Sequence, residues 1–317
     1  MNLQTIVHIP DPPFRINYTT PCLLMGSCFS DYIGVIMEDY CFPVLLNPFG
    51  TLFNPASIQS GLMNLVHKKI YHAGDLRFHD GRWLSFDHYT GFTHADRDKC
   101  LAHINESVAK ASIWLKNAGY LILTFGTAWI YRLHETRQIV ANCHKIPQSE
   151  FSKELMKPGE IVMLYDDLLS ELRAFNSKLK IIFTISPVRH WADGAVNNQL
   201  SKSILHFGLS EILKRNENTS YFPSYEIYMD ELRDYRFYAA DMLHPSKQGA
   251  EYIWERFTAT WCDDETRTIM KKVDPVIRAL RHRPVNPDSE SYKKFRESTE
   301  NKIAALKNQY PFLNFPD

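Results

Sequence analysis

The sequence predicts an α/β protein of three layers, a parallel sheet of about five strands with helices on both faces. Three observations lead there. Short, continuous apolar runs, Cys22-Leu23-Leu24-Met25 and Ile181-Ile182-Phe183-Thr184-Ile185 among them, read as strands buried on both faces. Stretches with apolar residues at helical spacing separate the runs. Glycine, proline and asparagine mark the joins. Strands alternating with helices in this way build a parallel sheet, and such sheets bind ligands beyond the carboxyl ends of their strands.

Residues 1–20 form an extended lead-in, because Pro10, Pro12 and Pro13 block a helix. Cys22–Met25 is the first strand. Gly26-Ser27-Cys28 turns the chain into an amphipathic helix over Asp31–Tyr40. Pro43–Leu46 is a second strand, stopped by the turn Asn47-Pro48-Phe49-Gly50. Asn54 caps the next helix, with Pro55 at its first position. Residues 70–95 have no helical period and are expected as a loop with a small hairpin, Arg77-Phe78 against Arg82–Phe86 around Asp80-Gly81. A long helix follows over about 97–117. Tyr120–Thr124 is the third strand, and residues 130–150 read as a connector. A helix near 160–177 precedes the fourth strand, Ile181–Ser186, which Pro187 ends. After a helix at 197–215, Tyr221–Tyr228 is expected as the fifth strand, at an edge because Pro223 cannot donate to a ladder. The last helix of this unit covers about 246–261. Residues 1–262 are thus expected to form one α/β domain, and residues 263–317 a helical appendage with a charged tail.

Composition excludes several function classes. Lysine plus arginine and aspartate plus glutamate each number 36, so no net field favours nucleic acid. No run approaches the roughly 18 apolar residues of a membrane span. Residues 1–8 have no basic, apolar leader, and the six cysteines are scattered without a C-x-x-C pair. A cytoplasmic protein with free thiols is the expectation. His67, His72, His79, His88 and His94 crowd one region, yet none has zinc spacing, and no cofactor is expected. The basic residues Arg267, Lys271, Lys272, Arg278, Arg281 and Arg283 read as a solvated helix face.

Two stretches carry chemistry. In Gly26-Ser27-Cys28 two nucleophile types stand between a strand and a helix N-terminus, where unpaired N–H groups stabilise negative charge. In Asp241-Met242-Leu243-His244-Pro245 a carboxylate three residues before a histidine can orient it through Nδ1, leaving Nε2 to take a proton. Sheet topology brings both to the same rim. Gly50, after the second strand, is expected to offer its backbone N–H there. Asn142 and His144 are expected to reach in from the connector. Arg189, after the fourth strand, is expected to touch an anionic or sugar substrate or to pair with a structural carboxylate.

Gly26-Ser27-Cys28-Phe29-Ser30 resembles the motif that names the GSCFA family, within the wider SGNH (GDSL-like) hydrolase superfamily. Asn47-Pro48-Phe49-Gly50-Thr51, Phe125-Gly126-Thr127-Ala128-Trp129, Asn142-Cys143-His144-Lys145, Ser186-Pro187-Val188-Arg189 and Asp241-x-x-His244-Pro245 extend the resemblance over most of the chain. It implies a flavodoxin-like fold and a nucleophile–His–Asp triad. It also implies an oxyanion hole of backbone amides and an Asn, with ester hydrolysis or acyl transfer on small-molecule or carbohydrate esters. The superfamily register puts Cys28 at the nucleophile position, and a shift of one residue puts Ser27 there. The Gly-x-Asn block reads Gly126-Thr127-Ala128, without its asparagine. A catalytically silent binding module for carbohydrate or protein assembly is the second reading. Acyl group, acceptor and oligomeric state have no signature in the sequence.

Overall fold

The computed structural model describes residues 4–315. In chain order its strands are β1 (Cys22–Gly26), β2 (Val44–Leu46), β3 (Arg77–His79), β4 (Arg82–Leu84), β5 (Tyr120–Phe125), β6 (Trp129–Leu133), β7 (Ile139–Val140), β8 (Phe151–Leu155), β9 (Lys180–Ile185) and β10 (Thr219–Phe222). The helices are α1 (Cys28–Asp39), α2 (Pro55–Val66), α3 (Arg97–Asn117), α4 (Pro158–Phe175), α5 (Gly194–Arg215), α6 (Ser224–Glu226), α7 (Lys247–Trp261), α8 (Asp264–Leu280) and α9 (Glu290–Gln309).

Alternation along the apolar strands divides the interior. Leu23 and Met25 of β1, Leu121, Leu123 and Phe125 of β5 and Ile181, Phe183 and Ile185 of β9 pack with α2, α3, α4 and α5 on one face. Cys22, Leu24, Tyr120, Ile122 and Ile182 point the other way, onto α1, α7 and α8. A side-chain period of two makes both faces apolar cores, as expected of a parallel sheet covered on each side. The sheet runs β10-β9-β5-β1-β2, all parallel. Numbered by their order along the chain, these five strands stand 2-1-3-4-5. That is the flavodoxin-like order, whose switch point lies between β1 and β5.

The expected helices, the Asn54 cap and the hairpin are present: Asn54 Oδ1 accepts from Ser57 N–H at 2.8 Å, and β3 pairs antiparallel with β4. Two readings need correction. The fifth strand ends at Phe222; Ser224 opens α6 and a π-helical turn over Ile227–Glu231, because Pro223 stops the ladder and the following backbone coils. The connector 130–150 contains strand: β6 lies between β7 and β8 in a three-stranded antiparallel sheet. Its short segments carry Arg132, Lys153 and Glu154, so the apolar runs that betray core strands are missing.

Candidate functional site

Gly26 closes β1 at φ +148°, and a Cβ on it would lie 2.3 Å from Thr124 O of the neighbouring strand. Only glycine lets β1 run this close to β5 and then turn. The turn is braced on every side. Gly26 N–H donates to Asn47 Oδ1 at 2.9 Å, Asn47 Nδ2 to Asp31 Oδ1 at 2.6 Å, and Thr51 Oγ1 to Asp31 Oδ2 at 3.0 Å. Ser30 Oγ donates to Thr124 Oγ1 at 2.7 Å. The first turn of α1 is thereby fixed at the switch point.

The two nucleophile candidates differ in setting. Ser27 is 0% exposed, and its Oγ has no hydrogen-bond partner among the described residues. Cys28 is partly exposed and is the first residue of α1. Ser27, at the N-cap, makes no side-chain cap, so the helix N-terminus stays open. The Cys28 thiol is pushed up to about 11 overall, by burial first and then by Asp31. Lys202 and the N–H groups of Cys28 and Phe29 pull it down.

The second anchor forms on the loop before α7. His244 Nδ1 lies 2.6 Å from Asp241 Oδ2, and Asp241 Oδ1 accepts from the N–H groups of Leu243 and His244 at 2.9 and 3.0 Å. Those backbone bonds, then the histidine, hold the Asp241 carboxyl down at about 2. A carboxylate ionised in this way favours the tautomer with the proton on Nδ1 and leaves Nε2 as the basic nitrogen. Ser246 caps α7 by accepting from Gly249 N–H at 3.2 Å.

His190 connects the anchors. Its Nε2 is 3.4 Å from the point a Gly126 Cβ would occupy, and Ser27 Cβ is 3.1 Å from that same point. Burial first, then the charge of Lys202, lowers His190 to about 4, with Asp193 opposing. The α5 face beneath is polar and closed: Asn198 and Ser201 are each 2% exposed and Lys202 is 0% exposed. Asn198 Oδ1 accepts from His190 N–H at 2.9 Å. Ser201 Oγ accepts from Ala128 N–H at 2.7 Å. Lys202 Nζ donates to Gly126 O at 2.7 Å and Ser186 O at 2.6 Å, clamping the ends of β5 and β9.

Other expected site groups are engaged elsewhere. Gly50 N–H donates to Asn47 O at 2.7 Å, closing its own turn, so it is not a free donor. Asn142 Oδ1 accepts from His144 N–H at 2.7 Å, and His144 Nε2 meets Ser85 O at 2.9 Å beside the Phe86 ring. Asn142 thus closes a turn within the connector, and His144 holds that connector to the segment after β4. Arg189 Nη2 reaches Gln199 Oε1 at 3.3 Å, and it pairs with no carboxylate among the described residues. Ala128, where the SGNH resemblance leads one to expect an asparagine, is 0% exposed in the core.

Sequence reasoning missed Lys202 and Asp31. A signal for the lysine existed. Stepping the α5 stripe Leu205, Leu209, Ile212 back by three, four and seven residues lands on Lys202, Ser201 and Asn198, polar side chains on the buried face.

Fold and site together define a flavodoxin-like α/β protein with the Gly26-Ser27-Cys28 turn at the switch point and an Asp–His pair on the loop before α7. The chain belongs to the GSCFA family, whose sequence profile matches residues 21–257. A profile described as the GSCFA domain protein, C-terminal domain, matches residues 273–317. No curated protein matches the sequence. Among solved structures the chain is similar to a carbohydrate esterase family 3 from Talaromyces cellulolyticus, with 9% identity, TM-score 0.38, and coverage of 80% of this chain and 99% of that one. It is similar to a Clostridium thermocellum family 3 carbohydrate esterase, with 8% identity, TM-score 0.36, and coverage of 83% and 99%. An acetyl xylan esterase (Est2A) from the rumen bacterium Butyrivibrio proteoclasticus gives 10% identity, TM-score 0.39, and coverage of 76% and 64%. At such scores the chemistry has to be argued from the site itself.

Proposed function

We propose that this chain is an acyl-ester hydrolase or acyltransferase of SGNH type, with Cys28 as nucleophile, His244 as general acid–base and Asp241 as its orienter. The observation that carries this is the 2.6 Å contact of His244 Nδ1 with Asp241 on the loop before α7. Accessibility supports Cys28 over Ser27, since the serine is sealed in and the cysteine opens the helix.

In this mechanism His244 Nε2 removes the thiol proton and sulfur attacks the ester carbonyl. The N–H groups of Cys28 and Phe29 stabilise the developing oxyanion. The tetrahedral intermediate collapses to a thioester and an alcohol, which leaves with the proton from His244. Water, or a second alcohol in a transfer, then gives a proton to His244 and attacks the thioester, returning the acid or new ester and the thiol. The substrate class is a small or carbohydrate ester, after the SGNH resemblance, and Arg189 is a contact for its polar part. No metal is needed for these steps. All six cysteines are unpaired, which suits a reducing compartment such as the cytoplasm. The protein works as one α/β domain over residues 1–262, with residues 263–317 added to it.

Turnover of p-nitrophenyl acetate tests the reading. Wild type and Ser27→Ala are expected to hydrolyse it, and Cys28→Ala and His244→Ala to lose about a hundredfold or more in kcat/KM. Ala128 in place of the oxyanion asparagine favours the second reading, a binding module without chemistry. Absence of turnover by wild type, with no label on Cys28 from a thiol-directed acyl probe, would select it.

A further inference from the structure

We propose that Lys202 is a built-in counter-charge for Cys28, so that the reactive form of this site is a thiolate held beside a buried ammonium. The inference rests on the reading of Cys28 as the reactive group and deepens it.

Lys202 has no exposed surface and projects from the middle of α5 to the carboxyl ends of β5 and β9. Its only hydrogen bonds among the described residues go to two neutral carbonyls, Gly126 O at 2.7 Å and Ser186 O at 2.6 Å. An ammonium has three N–H donors, so one donor has no acceptor among the described residues. Among the described residues no carboxylate pairs with it: the lysines that form ion pairs there are Lys69, Lys153, Lys214, Lys247 and Lys293. A buried cation with no anion is costly, and in folded proteins such a charge is paired or abandoned.

Cys28 is the candidate anion. Gly126, whose carbonyl holds Nζ, lies against Ser27, and Cys28 follows it at the open N-terminus of α1. Lys202 and Cys28 act on each other. Burial raises the thiol and lowers the lysine, which comes to about 7; against burial, the lysine draws the thiol down and the thiolate draws the lysine up. Each group is disfavoured when charged alone and supported when both are charged. The other titratable groups facing the thiol and the lysine are Asp31, held by Asn47 and Thr51, Arg189, and His190, which burial and then the lysine's own charge lower to about 4. Asp31 and Arg189 oppose the pair and His190 is held neutral beside it, so the lysine is the charge that favours a thiolate. Such a device helps sulfur and does little for serine, whose alkoxide lies far out of reach of neutral pH, so it explains a cysteine at this position. Lys202 acts through Cys28 and does not touch substrate; it is a positioning residue.

The test is the pH dependence of iodoacetamide alkylation at Cys28, followed by peptide mass spectrometry in the full-length protein. Lys202→Met, with its fold checked by circular dichroism and thermal midpoint, is expected to raise the apparent thiol pKa by a unit or more and to slow alkylation at pH 8 about tenfold. A folded Lys202→Met variant with an unchanged profile overturns the proposal. Should that variant not fold, Cys28→Ala decides: the titration of the Lys202 15Nζ resonance is expected to move down by about a unit when the thiolate partner is gone. An identical titration in wild type and Cys28→Ala overturns the proposal equally. Neither readout uses ester turnover. A shifted profile with no esterase activity therefore keeps the pair and removes the esterase, while turnover with an unshifted profile does the reverse.

Discussion

At the scale of single residues, the site depends on how closely β1 can approach β5. Gly26 has no tolerance for a side chain, since a Cβ would overlap backbone atoms of Thr124, and its φ of +148° is closed to other residues. Gly26→Ala is expected to cost about 3 kcal/mol or more, from strain and overpacking together, measured as a fall in the urea midpoint. A cost under about 1 kcal/mol would mean the turn relaxes freely. Residue identities at this scale were partly legible. Gly26 was legible as the residue of a turn, and the Asp241–His244 contact was legible from its spacing, because a carboxylate three residues before a histidine can reach its Nδ1. Gly50 and Asn142 misled, because a glycine N–H or an asparagine side chain serves a loop as readily as a substrate, and here each closes its own turn.

At the scale of elements, helix α5 shows what pattern reading leaves out. Its apolar stripe reads clearly from Leu205 to Ile212 and then continues into Asn198, Ser201 and Lys202, where a solvated start to the helix is the natural reading. Burial of those residues is decided by the ends of β5 and β9, which are distant in sequence. The β6–β8 sheet was missed for a related reason: its strands are short and half polar, stabilised by Arg132 on Glu154 at 2.9 Å and not by a long apolar run. Helix α7, in contrast, was legible from Ser246 onward, and its cap fixes the loop that carries His244. Ser246 Oγ accepts from Gly249 N–H and donates to Arg236 O at 3.0 Å. Ser246→Ala is expected to cost about 1 kcal/mol and to lower Tm by a few degrees. Because the cap also anchors the loop that carries His244, the proposed general acid–base, kcat/KM should fall while KM stays nearly constant. A stable variant with wild-type kinetics would separate the cap from the site.

At the scale of the whole molecule, the two cores account for the layered architecture, and the C-terminal helices join one of them. Val273, Val276 and Ile277 of α8 and Leu306 of α9 share a cluster with Phe29 and Met37 of α1 and Trp254 of α7. Tyr40 OH donates to Asp274 Oδ1 at 2.9 Å, and Arg281 pairs with Asp39. Two helices in the tail were legible from their spacing. Their seat was not, because an apolar stripe does not name the surface it will cover. The cores also set the response to acid. Burial holds His88 neutral down to about 3 and His190 down to about 4. An unfolded chain takes up those protons near pH 6.5, so the stabilisation is complete above that value and is lost as pH falls toward 4. Each histidine is expected to remove about 2 to 3 kcal/mol by pH 4.5. Urea unfolding at pH 7 and pH 4.5 measures the fall, and His88→Phe, in a site already lined by Phe49, Tyr71 and Phe92, should reduce it. An equal fall in the variant would trace the acid sensitivity to other groups.

The account stands most directly on covalent chemistry at Cys28. Brief reaction of the full-length protein with p-nitrophenyl acetate, acid quench and peptide mass spectrometry reads it out. The prediction is one acetyl group on the peptide carrying Cys28, formed in a burst, accumulating in His244→Ala only slowly and absent in Cys28→Ala. Wild-type turnover that survives Cys28→Ala, or an acetyl group found on Ser27, would contradict it.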